Sequence, residues 1–132
     1  MEDVLHPNSH WQNWSGSIAP AQARLENPRD LDALAKLIRD ATGPVRPVGS
    51  GHSWPHLVPN DHLIVQLDYF NQIGKVDTAT KRAWIGAGAR LHDVSPQLAE
   101  QGYAFRNLGD IDVQTLAGAT STGTHGTGQS LQ

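Results

Sequence analysis

The sequence contains no cysteine, and that one absence removes disulfides, thiol nucleophiles, cysteine-based zinc sites and iron–sulfur clusters together. Positive charge is not in excess either. Against 13 Asp and Glu stand 10 Lys and Arg among 132 residues, a formal charge of −3. The cations, such as Arg24, Arg46, Lys75, Arg90 and Arg106, are scattered. No basic stripe follows a phosphate backbone, which argues against nucleic acid as a partner. Apolar runs of membrane-spanning length are also missing, and the opening "MEDVLHPNSHWQNW" has neither the basic start nor the apolar core of a secretory signal. These absences predict a soluble, cytoplasmic protein of ordinary single-domain size. In their place stand 13 Gly and 8 Pro beside a hydrophobic content of 38%. That balance predicts a loop-rich domain whose loops carry function.

Regular elements are legible between the loops. In "NPRDLDALAKLIRDATGP", Leu31, Leu34, Ala35, Ile38 and Ala41 recur at helical spacing. Asp30 and Asp32 suit the positive end of the helix dipole, and Gly43-Pro44 ends the run. Flanking "ARLE" and "VRPV" read as strands, giving a β-α-β unit whose second strand runs into the glycines of "VGSGHSW". Three further strands are predicted over His62–Asp68, Ile73–Asp77 and Arg82–Ala89, the last two as a hairpin around "TATK". A second helix, "LHDVSPQLAEQG", sets Leu91, Val94 and Leu98 on one face, tolerates Pro96 early, and stops at Gly102. The polar tail from Asn107 onward has the composition of a flexible linker.

Two glycine segments carry the chemistry. In "RPVGSGHS" bare backbone follows a strand, so successive N–H groups can turn toward an anion such as a diphosphate. The dinucleotide fingerprint is absent, because the third glycine is missing and "WPHLVPND" cannot open the required helix. The Lys-Ser/Thr of a nucleotide P-loop is absent too. From its residues alone the segment reads equally as a plain tight turn. The second segment, "ATSTGTHGTG", adds small hydroxyls and His125. Small side chains of this kind admit a flat ring and a diphosphate close to the backbone. A metal site built on His52, His56 and His62 is disfavoured by Pro55, which prevents the helix that would bring such a pair to one face. His6, His10, His56, His62 and His92 read as surface groups.

The lead-in "WQNWSG", then "PVGSGHSW" and "NLGDIDVQTLAGATSTGTHGTG", in this order, resemble the N-terminal part of the aldonolactone oxidases. That group, which includes L-gulono-1,4-lactone and D-arabinono-1,4-lactone oxidases and lies close to the alditol oxidases, belongs to the vanillyl-alcohol-oxidase (PCMH-type) flavoproteins. The resemblance implies an α+β FAD-binding domain of two small subdomains. The first is expected to run to Asn71, with 72–132 the incomplete start of the second. It implies FAD as cofactor, with the first loop (Val48, Gly49, Ser50, Gly51, His52 and Ser53, with Trp54 beside them) around the diphosphate. His52 is the expected site of a covalent bond to the flavin 8α methyl carbon. Without cysteine no second linkage can form. Further cofactor contacts are expected from Gly109, Asp110, Thr115 and Gly118, and from Thr122, Gly123, Thr124 and His125.

The implied reaction is oxidation of a CH–OH group of a sugar lactone by hydride transfer to flavin. Glycine at 109 leaves an approach for oxygen, and Asp110 follows the lactone-oxidase form rather than the serine of alditol oxidases. The resemblance also implies that "GTGQSLQ" ends the chain inside the FAD domain. The rest of that domain and a substrate domain would then be its partners, no catalytic acid or base can be named, and the chain alone is expected to be inactive. An alditol oxidase, or a nonenzymatic interaction module that does not bind flavin alone, are the alternatives.

Overall fold

A computed structural model of the chain describes residues 11–20, 22–53 and 56–130. Trp54, Pro55, His6 and His10 lie outside the described residues. The elements in chain order are β1 (Arg24–Glu26), α1 (Leu31–Asp40), β2 (Val45–Val48), β3 (Leu63–Gln66), α2 (Leu91–Glu100) and α3 (Leu116–Ser121).

The β-α-β unit forms as its pattern predicts. Asp30 caps α1, its carboxylate accepting from the Ala33 N–H at 2.8 Å. Both β1 and β2 pair in parallel with β3, in the order β1-β3-β2. The third strand takes the centre because Leu63, Ile64 and Val65 are apolar on both faces, and all three are buried. Trp11, Val48 and Ile64 form the core beneath this sheet, with Ile18, Ala23, Leu25 and Val58 around them. The helix contributes little to it: no residue of α1 is buried, and Leu31 and Ile38 are 71% and 54% exposed.

Downstream of the sheet a second cluster gathers Ala89, Val94 and Leu98, with Ile73, Val76, Ile85, Tyr103 and Phe105 packed on it. The expected strands Ile73–Asp77 and Arg82–Ala89 do not form a continuous ladder. They meet at isolated antiparallel bridges, Ile73 to Ile85 and Asp77 to Arg82. The same antiparallel register carries on past Ile73, Gly86 N–H donating to Gln72 O at 2.7 Å and Gly88 N–H to Phe70 O at 2.9 Å. A side chain at Gly88 would collide with the Leu67 carbonyl, so this crossing requires bare backbone. Helix α2 buries Leu91, Val94 and Leu98 as its spacing predicts, and Gly102 follows it at φ 80°.

The linker reading of the tail is overturned. Thr115 starts α3, its Oγ1 accepting from the Gly118 N–H at 3.1 Å, and Ala119 is buried.

Candidate functional site

The first glycine segment leaves the carboxyl end of β2, the end of a parallel sheet where small ligands ordinarily bind. Gly51 sits at φ 68°, and a Cβ there would lie 3.2 Å from the Asn13 Cα. Both facts demand glycine. The neighbour, Asn13, is 2% exposed and fully bonded: its side chain donates to Ser15 Oγ and Ser17 Oγ at 3.0 and 3.2 Å and accepts from the Ile18 N–H at 2.9 Å. This folded lead-in presents Trp14 to the loop. Its N–H donates to the Gly51 carbonyl at 3.1 Å, and its indole stacks on the His52 imidazole with ring centroids 5.5 Å apart and planes 11° from parallel. His52 Nδ1 donates to the Ser50 carbonyl at 3.1 Å. Ring stacking and this hydrogen bond together fix the imidazole, which is half-buried.

The second segment approaches the first across the end of the sheet. Its backbone is tied to the strand-like run before α2: Leu91 N–H donates to Gln114 O at 3.0 Å, Leu116 N–H to Ala89 O at 2.8 Å and Ala117 N–H to Ala87 O at 3.1 Å. Thr115, 5% exposed, stands so close to Gly49 that a Cβ on the glycine would strike its hydroxyl. Gln114 Nε2 donates to Thr124 Oγ1 at 3.1 Å, while its amide oxygen is buried with no hydrogen-bond partner. Such an orphan acceptor is costly unless a donor meets it.

Between the segments lies a cavity of about 380 Å³, a size typical of small-molecule sites. One wall runs from Arg46 through Ser53, and the other carries Gln114, Thr115, Gly118 and Thr122. Ala87 and Gly88 close it below, and Trp11, Leu57 and Val58 add apolar surface. The expected residues Val48 to Ser53, Thr115, Gly118 and Thr122 therefore share one cleft. Gly109, Asp110, Gly123, Thr124 and His125 do not line it. Asp110 and His125 are exposed, with His125 Nδ1 donating to the Gly126 carbonyl at 2.7 Å. Gly109 packs instead on the Thr124 methyl, 2.7 Å from where a Cβ would stand. Among the described residues no three His, Asp or Glu side chains gather as metal ligands.

Reading the sequence missed three participants. Trp14 and Gln114 lie inside quoted motifs but were given no role. Arg90 was noticed only as one of several scattered cations, yet its guanidinium donates to Ser50 Oγ at 2.7 Å and to the Val113 carbonyl at 3.3 Å. A signal existed for Trp14, since an aromatic next to a turn-forming Ser-Gly pair is a ready lid for a neighbouring ring. None existed for Arg90, whose hydroxyl partner lies 40 residues away.

Comparison with known proteins agrees with this geometry. Residues 19–132 match the model of a family described as an FAD binding domain. The chain is 35% identical over 125 residues to an L-gulono-1,4-lactone dehydrogenase of Mycobacterium tuberculosis, covering 92% of this chain and 29% of that protein. To a D-arabinono-1,4-lactone oxidase of Kluyveromyces lactis it is 32% identical over 126 residues, covering 90% and 24%. A crystal structure of cholesterol oxidase from Brevibacterium sterolicum superposes with a TM-score of 0.76 at 25% identity, over 89% of this chain and 24% of that one. The chain thus spans less than a third of the length of these relatives. No described helix is long and apolar enough to cross a membrane. A strand end, a glycine loop and a small-residue helix start that converge on one cleft are the parts a flavin dinucleotide needs, and this chain belongs to the FAD binding domain family.

Proposed function

We propose that the cleft at the end of β2 holds the flavin and diphosphate portion of FAD, and that the whole protein oxidises a CH–OH group of a sugar lactone. One observation carries this reading: the glycine loop after β2 and residues between Gln114 and Thr122, far apart in sequence, line a single cavity of about 380 Å³. The residues suit the group. Gly49 and Gly51 keep the strand end bare, so backbone N–H groups can face a diphosphate. Gln114 and Thr115 add polar side chains to the other wall of the cavity. Arg46 brings positive charge to the same wall.

When bound, FAD supplies a two-electron acceptor at flavin N5 for the substrate hydride, and in the proposed reaction those electrons pass on to dioxygen. The chain's own part is to bind and orient. Trp14 and the Ser50 carbonyl hold the His52 imidazole in one orientation at the cleft wall, as a residue forming a covalent bond to the flavin methyl group requires. Asp110 supports a lactone rather than an alditol as substrate, and the relatives include lactone enzymes of both the oxidase and the dehydrogenase kind. A division of the chain near residues 71 and 72 is part of the same proposal, supported by the separate clusters around Ile64 and Val94.

The test is the intact mass of the purified chain under denaturing conditions, with a visible spectrum of the same sample. One FAD added to the chain mass, a yellow colour, and loss of the adduct in His52→Ala are expected. A colourless chain of bare mass that remains colourless after incubation with FAD would leave a half-domain that does not acquire flavin, and the reading fails for these 132 residues.

A further inference from the structure

A polar cluster joins the two walls of the cleft, and its centre is in neither motif. Arg90, the residue that opens α2, reaches the first glycine loop at Ser50 Oγ, 2.7 Å away, and the second segment at the Val113 carbonyl, 3.3 Å away. The Ser50 hydroxyl accepts from the guanidinium while donating to the same Val113 carbonyl, which closes the triangle. On its far side the guanidinium lies 3.8 Å from Asp68, whose other oxygen accepts from Asn27 Nδ2 at 3.1 Å. The Arg90 backbone meanwhile pairs with Thr115, the residue under Gly49. A planar fork with several donors is suited to holding three acceptors at fixed spacing, and a lysine ammonium is not.

We propose that Arg90 is a positioning residue: it sets the separation of the glycine loop after β2 from the run Val113–Thr115 on the other wall, so that both walls reach the same bound cofactor at once. This rests on the FAD reading of the cleft. Trp14 holds the loop after β2 on one side, at Gly51 and His52, and the Arg90 contact at Ser50 ties it to the other wall. A preset wall spacing spares the cost of ordering the loop when the ligand arrives. A merely structural ion pair would affect stability and leave cofactor affinity alone.

The experiment compares the full chain with Arg90→Met, Arg90→Lys and Ser50→Ala, by amide hydrogen exchange without ligand and by FAD titration followed through flavin fluorescence. For Arg90→Met, exchange is expected to quicken at Gly49–His52 and at Val113–Thr115 but not at Val94–Leu98, with FAD bound about tenfold more weakly. Arg90→Lys is expected to recover part of the affinity. Unchanged exchange at Gly49–His52 overturns the proposal, and so does faster exchange with unchanged affinity. If Arg90→Met loosens the Val94–Leu98 amides as well, Ser50→Ala, which removes the contact without an exposed charge, decides by the same two criteria. Should the unsubstituted chain bind no FAD, the flavin reading fails, and Arg90 as a cofactor-positioning residue fails with it. The exchange data would then still report whether the tie itself exists.

Discussion

At the scale of single residues, the cleft depends on places where a side chain is forbidden and places where one is held. Gly51 belongs to the first kind, and Gly109 to neither. The latter is outside the cavity wall, and an added methyl would press on Thr124 Cγ2. Gly109→Ala is expected to slow reoxidation of reduced flavin in air, read by stopped flow in the complete enzyme. Rapid reoxidation in both proteins would remove Gly109 from the oxygen path. Thr115 belongs to the second kind, because one hydroxyl caps α3 and also marks the floor beneath Gly49. First-loop residues were legible because glycine after a strand has a known use. The contacts of Arg90 and Gln114 were not, because hydrogen bonds to partners 40 and 10 residues away leave no local pattern.

Elements were legible in proportion to their periodicity. Helix α2 emerged from Leu91, Val94 and Leu98, and β3 from its apolar run. The hairpin was read as two continuous strands and is instead a run of isolated bridges, since in "RAWIGAGA" the glycines that alternate turn their N–H groups toward residues 70 and 72. Helix α3 escaped because six residues, five of them small, have almost no periodicity and its start is made by one threonine. Helix α1 adds a different lesson: its apolar face was correctly patterned and yet is open. Leu31→Glu and Ile38→Glu are therefore each expected to move the stability of this chain by no more than about 0.5 kcal/mol. Leu98→Ala, at a position 5% exposed, is expected to cost about 2–5 kcal/mol. Urea denaturation midpoints check both, and a large loss from either glutamate would mean that α1 is covered.

For the molecule as a whole, charge contributes at its turns and helix ends. The Thr80 and Ala79 N–H groups bonded to Asp77 hold its carboxyl below the usual carboxylate range, and the Lys36 ammonium does the same for Asp40. Each lowered carboxyl favours the folded state above the unfolded-chain pKa of about 4 and loses that contribution as pH falls through the folded value. The thermal midpoint is expected to decline below about pH 4, and Asp77→Asn to flatten part of that decline. An unchanged slope in this variant would show that the turn at residues 77–82 takes no share in it.

The Ser50–Val113 tie spans 63 positions of chain, and this has a bearing on time rather than on shape. During synthesis β1 and β2 find their shared partner as soon as β3 has emerged, but the first glycine loop must wait for the whole hairpin and α2 before its other wall exists. Long-range closures of this kind are the slow steps of folding. The cleft is thus finished late, and a cofactor meets a scaffold that has already formed instead of serving as the nucleus on which it forms.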